Sequence, residues 1–153
     1  MAACIASASA ATMSDEAQIK ALESQFSAAF NAKDVTAIMK VYTPDVFVFD
    51  AGIPRQYVGA AAYRKDWTDF LATFKGKLKF EMSDLAITVD GTMAASHSIQ
   101  HVSGTDTKGK PAEFVVRVSD VYRKAGGHWL ISMEHVSVPI DFATGKPDMM
   151  SKP

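Results

Sequence analysis

The stretch KLKFEMSDLAITVDGTMAASHSIQHVSGT, residues Lys77–Thr105, decides the architecture. Leu78, Phe80 and Met82 alternate with Lys77, Lys79 and Glu81, the period of a half-buried strand. The apolar parity then slips by one to Leu85, Ile87 and Val89, which predicts a bulge near Ser83-Asp84. Asp90-Gly91 signals a two-residue hairpin. A second strand follows over about Thr92–Thr105. Asp106–Pro111 turns the chain into a third strand, Ala112–Lys124, and Ala125-Gly126-Gly127 turns it into a fourth, His128–Val138. Gly104 and Gly109 read as flanks of the middle turn.

Upstream of this meander the period changes to that of helices. Ser14 can cap a first helix, with Asp15 and Glu16 at its positive end and Ile19, Leu22, Phe26, Ala29 and Phe30 on one stripe. Asp34 caps a shorter helix carrying Val35, Ile38, Met39 and Tyr42, which stops at Thr43-Pro44. A short apolar strand, Val46–Asp50, ends on a carboxylate. A third helix spans about Gly59–Phe74, with Tyr63, Trp67, Phe70, Leu71 and Phe74 on one face. Helices gathered before a run of long strands argue for an α+β fold, three N-terminal helices packed on a curved, mostly antiparallel β-sheet.

The 153 residues suit one domain, and the single cysteine, Cys4, leaves stability to packing. A net charge of -1 gives no electrostatic reason to expect nucleic acid, and no apolar run approaches a bilayer span. The organisation reads as a leader over 1–13, a domain over 14–138 and a tail over 139–153. The leader is Ala/Ser-rich, and Ala8-Ser9-Ala10 is similar to a signal-peptidase site. Two readings compete: the remnant of an export signal, which gives a periplasmic or secreted protein, or a disordered extension of a cytoplasmic one. The tail lacks periodicity and either drapes over a neighbour or stays mobile.

Asn31-Ala-Lys-Asp34, then Tyr42, Asp45 and the strand to Asp50, form a pattern that resembles the nuclear-transport-factor-2-like superfamily. Within it the chain looks most like the SnoaL-like and ketosteroid-isomerase-like branch. Arg117–Lys124, Gly127–Ile131 and Glu134–Ser137 carry the same resemblance, which covers about Ala17–Val138. It implies a cone-shaped domain with a small hydrophobic pocket between helices and sheet, and it leaves function open, because one fold hosts many activities.

Asp50 closes an apolar strand, where burial would raise its pKa and make it a better base. The resemblance places it where steroid isomerases keep their general base; the plainer reading is a strand-end cap. Asp120 shares parity with Phe114, Val116, Val118 and Tyr122, and the resemblance matches it to an acid that helps form an oxyanion hole. Its plainer reading is an ion pair with Arg117 or Arg123. Phe26 stands where the isomerase pattern has a tyrosine, which removes one donor and leaves Tyr42, Tyr57 or Tyr63 to compensate.

His97 and His101 lie on one face, roughly 13 Å apart along their strand, too far to share a metal. His135 shares parity with Trp129, Ile131 and Met133. These three histidines, with Tyr57, Tyr63 and Trp67, are the candidate substrate-binding residues; core packing is the alternative for each. Three functions follow. The first is an enzyme of isomerase, dehydratase or cyclase type that uses Asp50 and Asp120 on a small carbonyl compound, with no metal and no cofactor. The second is a non-catalytic binder of a small hydrophobic molecule. The third is a dimerisation domain. Val115, Ser119 and Val121, opposite the pocket-facing set, predict a homodimer through the outer sheet face.

Overall fold

The computed structural model describes residues 13–150. The expected leader, apart from Met13, therefore lies outside the described residues, as do Cys4 and the Ala8-Ser9-Ala10 site.

Helix α1 spans Asp15–Asn31, and Ser14 Oγ accepts from Ala17 N at 3.2 Å. Its buried stripe is the expected one with Glu23 added. Asp34 caps the single-turn helix α2, Val35–Ile38, by accepting from Ala37 N at 2.9 Å. A 3-10 turn, Met39–Val41, leads into β1, Tyr42–Phe49, which starts earlier than its apolar core suggested. The edge strand β2, Tyr57–Val58, is too short to leave a periodic signal. Helix α3 follows over Ala60–Ala72.

Strands β3 (Phe74–Asp90), β4 (Met93–Asp106), β5 (Pro111–Ala125) and β6 (His128–Ser137) form the antiparallel meander. The sheet order is β2-β1-β6-β5-β4-β3, and only β1–β6 is parallel. The bulge in β3 falls where the parity slip put it. Ser83 pairs with Ile99 and Ala86 with His97, and Asp84 has a φ of 54°. The hairpin loop is Gly91-Thr92, one residue beyond the Asp90-Gly91 expectation, because Asp90 still pairs with Met93.

A second bulge has larger consequences. Tyr122 faces Ile131 and Val121 faces Met133, so Ser132 is an extra residue in β6, and its hydroxyl donates to the Val121 carbonyl at 3.1 Å. Trp129 and Ile131 point into the core, yet beyond the bulge it is Glu134 that turns inward and His135 that turns out. The uninterrupted alternation expected for this strand is corrected by that one residue.

Helices α1 and α3 close the concave face. Phe26 packs edge-on against Trp67 at 5.6 Å and Phe80 at 5.5 Å, and Phe30 lies 4.7 Å from Phe80. Each such ring, fully buried, stabilises the fold by about 1.5–3 kcal/mol. Gly104 is more than a turn flank, since a Cβ there would sit 2.6 Å from Leu78 Cδ2. The chain beyond Pro139 forms a small ribbon, β7 (Ile140–Asp141) with β8 (Lys146–Pro147). It lies back on its own chain, where Val115 N donates to Met149 O at 2.8 Å. No helix among the described residues is long and apolar enough to cross a membrane.

Candidate active site

A cavity of about 340 Å³ opens between α3, the sheet and the β7–β8 ribbon. Tyr63, Asp66, Trp67 and Phe70 reach it from α3 at spacings of three and four, one helical stripe. Phe26 and Phe30 come from α1, Gln100 and Val102 from β4, Phe114 and Val116 from β5, and Glu134 and Val136 from β6. Pro147 and Met149 of the tail complete the wall. Most of the lining is apolar or aromatic, and its polar groups are few, the composition of a small-molecule site.

Glu134 is the chemical centre of this cavity. Its side chain is 5 % exposed and is held from two sides: Tyr42 OH donates to Oε2 at 2.9 Å, and Tyr63 OH makes a short bond to Oε1. Burial raises its pKa from 4.5 to about 7; the two tyrosine hydroxyls oppose the rise and the Asp50 charge adds to it. A carboxyl poised there gives and takes protons readily at neutral pH.

Asp50 and Asp66 carry a second pair of carboxyls at the same pole. Asp50 lines the cavity while its Oδ1 accepts from Gly52 N at 3.2 Å, so it occupies both of the places its sequence position suggested. Asp66 accepts from Tyr57 OH at 2.5 Å. Half-burial pushes the Asp66 carboxyl up against that hydrogen bond, and the neighbouring Asp50 carboxyl raises it further by charge and by hydrogen bonding.

Asp120 faces inward on the predicted parity, but it does not line the cavity. It pairs across the sheet with Ser96 and Glu134, in a polar layer beneath the cavity. Burial holds its carboxyl protonated well above the usual range, and the charges of Glu134 and Glu23 reinforce this. Its Oδ1 has no hydrogen-bond partner among the described residues. Tyr122 OH, next to it, donates to Glu23 Oε1 at 2.6 Å and shares a 2.8 Å bond with Ser96 Oγ. The alternative ion pair with Arg123 does not form, because Arg123 pairs with Asp45 at 2.7 Å.

The histidines stand elsewhere. His97 and His101 lie on the outer face of β4, whose inner face carries Ala94, Ser96, Ser98, Gln100 and Val102. That inner set is so polar that alternation gave no sign of which face was which. His101 bridges Glu81 and Glu113 on the outside. His135 is turned out by the β6 bulge and rests 5.7 Å from the Phe49 ring. None of the three lines the cavity, whereas Tyr57, Tyr63 and Trp67 all do. Among the described residues no group of three His, Cys, Asp or Glu side chains could hold a metal ion.

Sequence reasoning passed over Asp66, Glu23 and Glu134. The first two were visible, since each sits inside an apolar helical stripe, Asp66 between Tyr63 and Phe70 and Glu23 between Ile19 and Phe26. Glu134 was hidden by the Ser132 bulge.

The model of the SnoaL-like domain family matches residues 19–141, most of the chain and nearly all of the elements that build the cavity. The chain belongs to the SnoaL-like domain family. The fold of this SnoaL-like protein is similar to that of an NTF2-like protein of unknown function from Pseudomonas putida KT2440, with a TM-score of 0.81 and 28% identity over 93% of this chain and 100% of the other. It is similar, too, to an NTF2-like superfamily protein from Salmonella enterica serovar Typhimurium, with a TM-score of 0.75 and 16% identity over 87% and 96% of the two chains. A candidate dehydratase of the NTF2-like family from Streptomyces avermitilis superposes with a TM-score of 0.70 and 18% identity over 80% and 95%. At these last identities the likeness concerns the fold alone. No curated protein matches the SnoaL-like chain significantly.

Proposed function

We propose that the cavity catalyses proton transfer on a small carbonyl compound, a reaction of isomerase, dehydratase or cyclase type, with Glu134 as the group that moves the proton. The observation that carries this is a buried carboxyl on the wall of an apolar cavity, fixed by two tyrosine hydroxyls, in surroundings that push its pKa up to about 7. As carboxylate it takes a proton from the carbon next to the carbonyl; as acid it returns that proton at a second position. Side chains alone perform such a transfer, so the reading calls for no cofactor and no metal. Asp50 sits beside Glu134 and takes part through its charge, which helps hold Glu134 near neutrality. Asp120 keeps a neutral polar layer beneath the reacting carboxyl. The dehydratase name of the Streptomyces relative falls in the same reaction class.

The test is exchange of α-protons for deuterium in a panel of small ketones, neutral and amine-bearing, followed by NMR. Exchange above the buffer rate that vanishes in Glu134→Gln supports the reading. Exchange that is absent, or equal in the variant, reduces the protein to a binder. One observation favours that second reading: both tyrosine hydroxyls of the cavity wall already donate to carboxylates, Tyr57 to Asp66 and Tyr63 to Glu134, and Phe26 offers none. The proposal includes a homodimer through the outer sheet face, where Val115, Val121 and Ile99 are only half covered. Light scattering that gives a mass near 16.5 kDa, that of a single chain, would sink it.

A further inference from the structure

The cavity wall is unbalanced in charge. Asp50, Asp66 and Glu134 line it, and no lysine, arginine or histidine does so among the described residues. The three acids gather at one pole: the Asp50 charge acts on Asp66, Glu134, Tyr57 and Tyr63 alike. From that pole a train of rings runs along the wall. Tyr57 lies 5.6 Å from Tyr63, Tyr63 5.6 Å from Trp67, Trp67 6.0 Å from Phe70, and Phe70 6.1 Å from Phe114. Trp67 is 8 % exposed and lines the cavity, while its indole Nε1 is shielded and has no hydrogen-bond partner among the described residues.

An ordinary neutral carbonyl substrate fits this wall poorly. Glu134 becomes neutral as it takes the α-proton, but the enolate left behind still lies beside Asp50 and Asp66, whose carboxyls oppose its negative charge. No cationic side chain compensates, and the tyrosine hydroxyls on the wall already serve carboxylates. A substrate that brings its own positive charge removes the conflict, because deprotonation then leaves a neutral zwitterion. Aromatic faces beside carboxyls are also the surroundings in which an ammonium group is held most strongly.

We infer that the ligand is a small cationic amine, its ammonium group seated between Asp50, Asp66 and the Tyr57 ring, and its apolar body along Trp67, Phe70 and Phe114. This rests on the reading of the cavity as a ligand site and adds the charge of what it takes. Read together with the proton transfer proposed above, it makes the substrate class amino-carbonyl compounds.

Calorimetric titration of the full chain with three matched probes tests it: 3-phenylpropylamine, 3-phenylpropan-1-ol and 3-phenylpropanoate. The amine binds roughly tenfold more tightly than the alcohol, the size expected for a desolvated cation on rings, and the carboxylate binds weakest. In the Asp50→Asn/Asp66→Asn double variant that preference collapses while the alcohol binds as before, and a melting curve shows whether the variant is folded. Asp66→Asn alone serves if the double variant does not fold. Equal binding of amine and alcohol, or tighter binding of the carboxylate, overturns the charge inference and leaves the cavity a ligand site. Failure of all three probes to bind, together with failure to take up the neutral dye Nile red, overturns the inference and the cavity reading at once.

Discussion

Glu134 and Asp120 face each other across β5 and β6, yet they belong to two different regions. Glu134 looks into the cavity, with a tyrosine hydroxyl on each of its oxygens. Asp120 lies in the layer beneath, with one oxygen unpartnered and Ser96, Tyr122 and Glu23 around it. Both are equally sheltered from water, and burial raises both. Hydroxyls oppose the rise at both, Tyr63 and Tyr42 at Glu134 and Ser96 and Tyr122 at Asp120. What separates them is that the charges of Glu134 and Glu23 come ahead of the hydroxyls at Asp120, whereas the hydroxyls come ahead of the charges of Asp50 and Glu23 at Glu134. Burial among other acids keeps a carboxyl protonated; burial in which donors outweigh like charges lets it titrate nearer neutral pH.

The largest effect should come from exchanging the two roles. Glu134→Gln keeps the shape, with one tyrosine hydroxyl now accepting from the amide NH2, but removes the titrating proton, so exchange at the substrate carbon should fall by about 10²–10⁴-fold. Asp120→Asn should cost less than about tenfold, since a neutral amide replaces a group that is already neutral. The measurement is α-proton exchange under identical conditions. If Asp120→Asn proved the more damaging change, the cavity and the layer beneath would have to swap functions.

Stability against pH gives the next largest signal. Glu134 has a folded pKa of about 7 against an ordinary 4.5, so across that window the folded state binds more protons than the unfolded one. Its contribution is therefore whole below about pH 4.5 and is lost as pH rises through about 7, at up to 1.4 kcal/mol per pH unit. Asp120 and Glu23, also raised, act in the same direction. Urea midpoints should fall between about pH 5 and pH 8 by the equivalent of a few kcal/mol, and Glu134→Gln should flatten that slope. A midpoint that stays flat over the same range would mean that the three acids are already ionised in the folded protein.

The two tyrosines sharpen the comparison further. Both hydroxyls lower the Glu134 pKa, that of Tyr63 more than that of Tyr42. Tyr63→Phe should thus move the acid limb of a pH–rate profile upward, and Tyr42→Phe should move it by less. Each lost donor to a charged group corresponds to about 1.5–3 kcal/mol, or about one to two pH units. A downward shift in either variant would show that the hydroxyls serve the protonated form instead.

The fold was largely legible before any coordinates. Caps at Ser14 and Asp34, the parity slip at Ser83-Asp84 and the turn glycines all follow from local chemistry. Part of the site was legible as well, because Tyr63 and Trp67 sit on a helix whose period is regular; Asp66, on the same stripe, was passed over. What could not be read was strand parity. On β4 both faces are polar enough to hide which is inner, so His97 and His101 could not be assigned to either. On β6 one extra residue exchanged the places of Glu134 and His135. Helical stripes tolerate small irregularities, whereas a one-residue slip in a strand turns every later side chain over.

The smallest predicted effect tests that irregularity directly. Ser132 Oγ donates to the Val121 carbonyl, and Ser132 is the residue without a partner opposite it. Two things are then separable: the hydrogen bond, which fastens the bulge, and the extra residue, which creates it. Ser132→Ala removes only the first, so it should lower stability by about 1 kcal/mol and leave the exchange rate within a few-fold of the original. The inward turn of Glu134 depends on the bulge absorbing one of the two residues between it and Ile131, and alanine leaves that extra residue in place. Deleting Ser132 removes the bulge itself and leaves Met133 alone between Ile131 and Glu134, so regular alternation should keep Glu134 on the inner face and exchange should survive. Urea titration and α-proton exchange of the alanine variant decide the matter. A loss of exchange in Ser132→Ala comparable to that in Glu134→Gln would mean that the serine hydroxyl, rather than the strand register, sets the position of the reacting carboxyl.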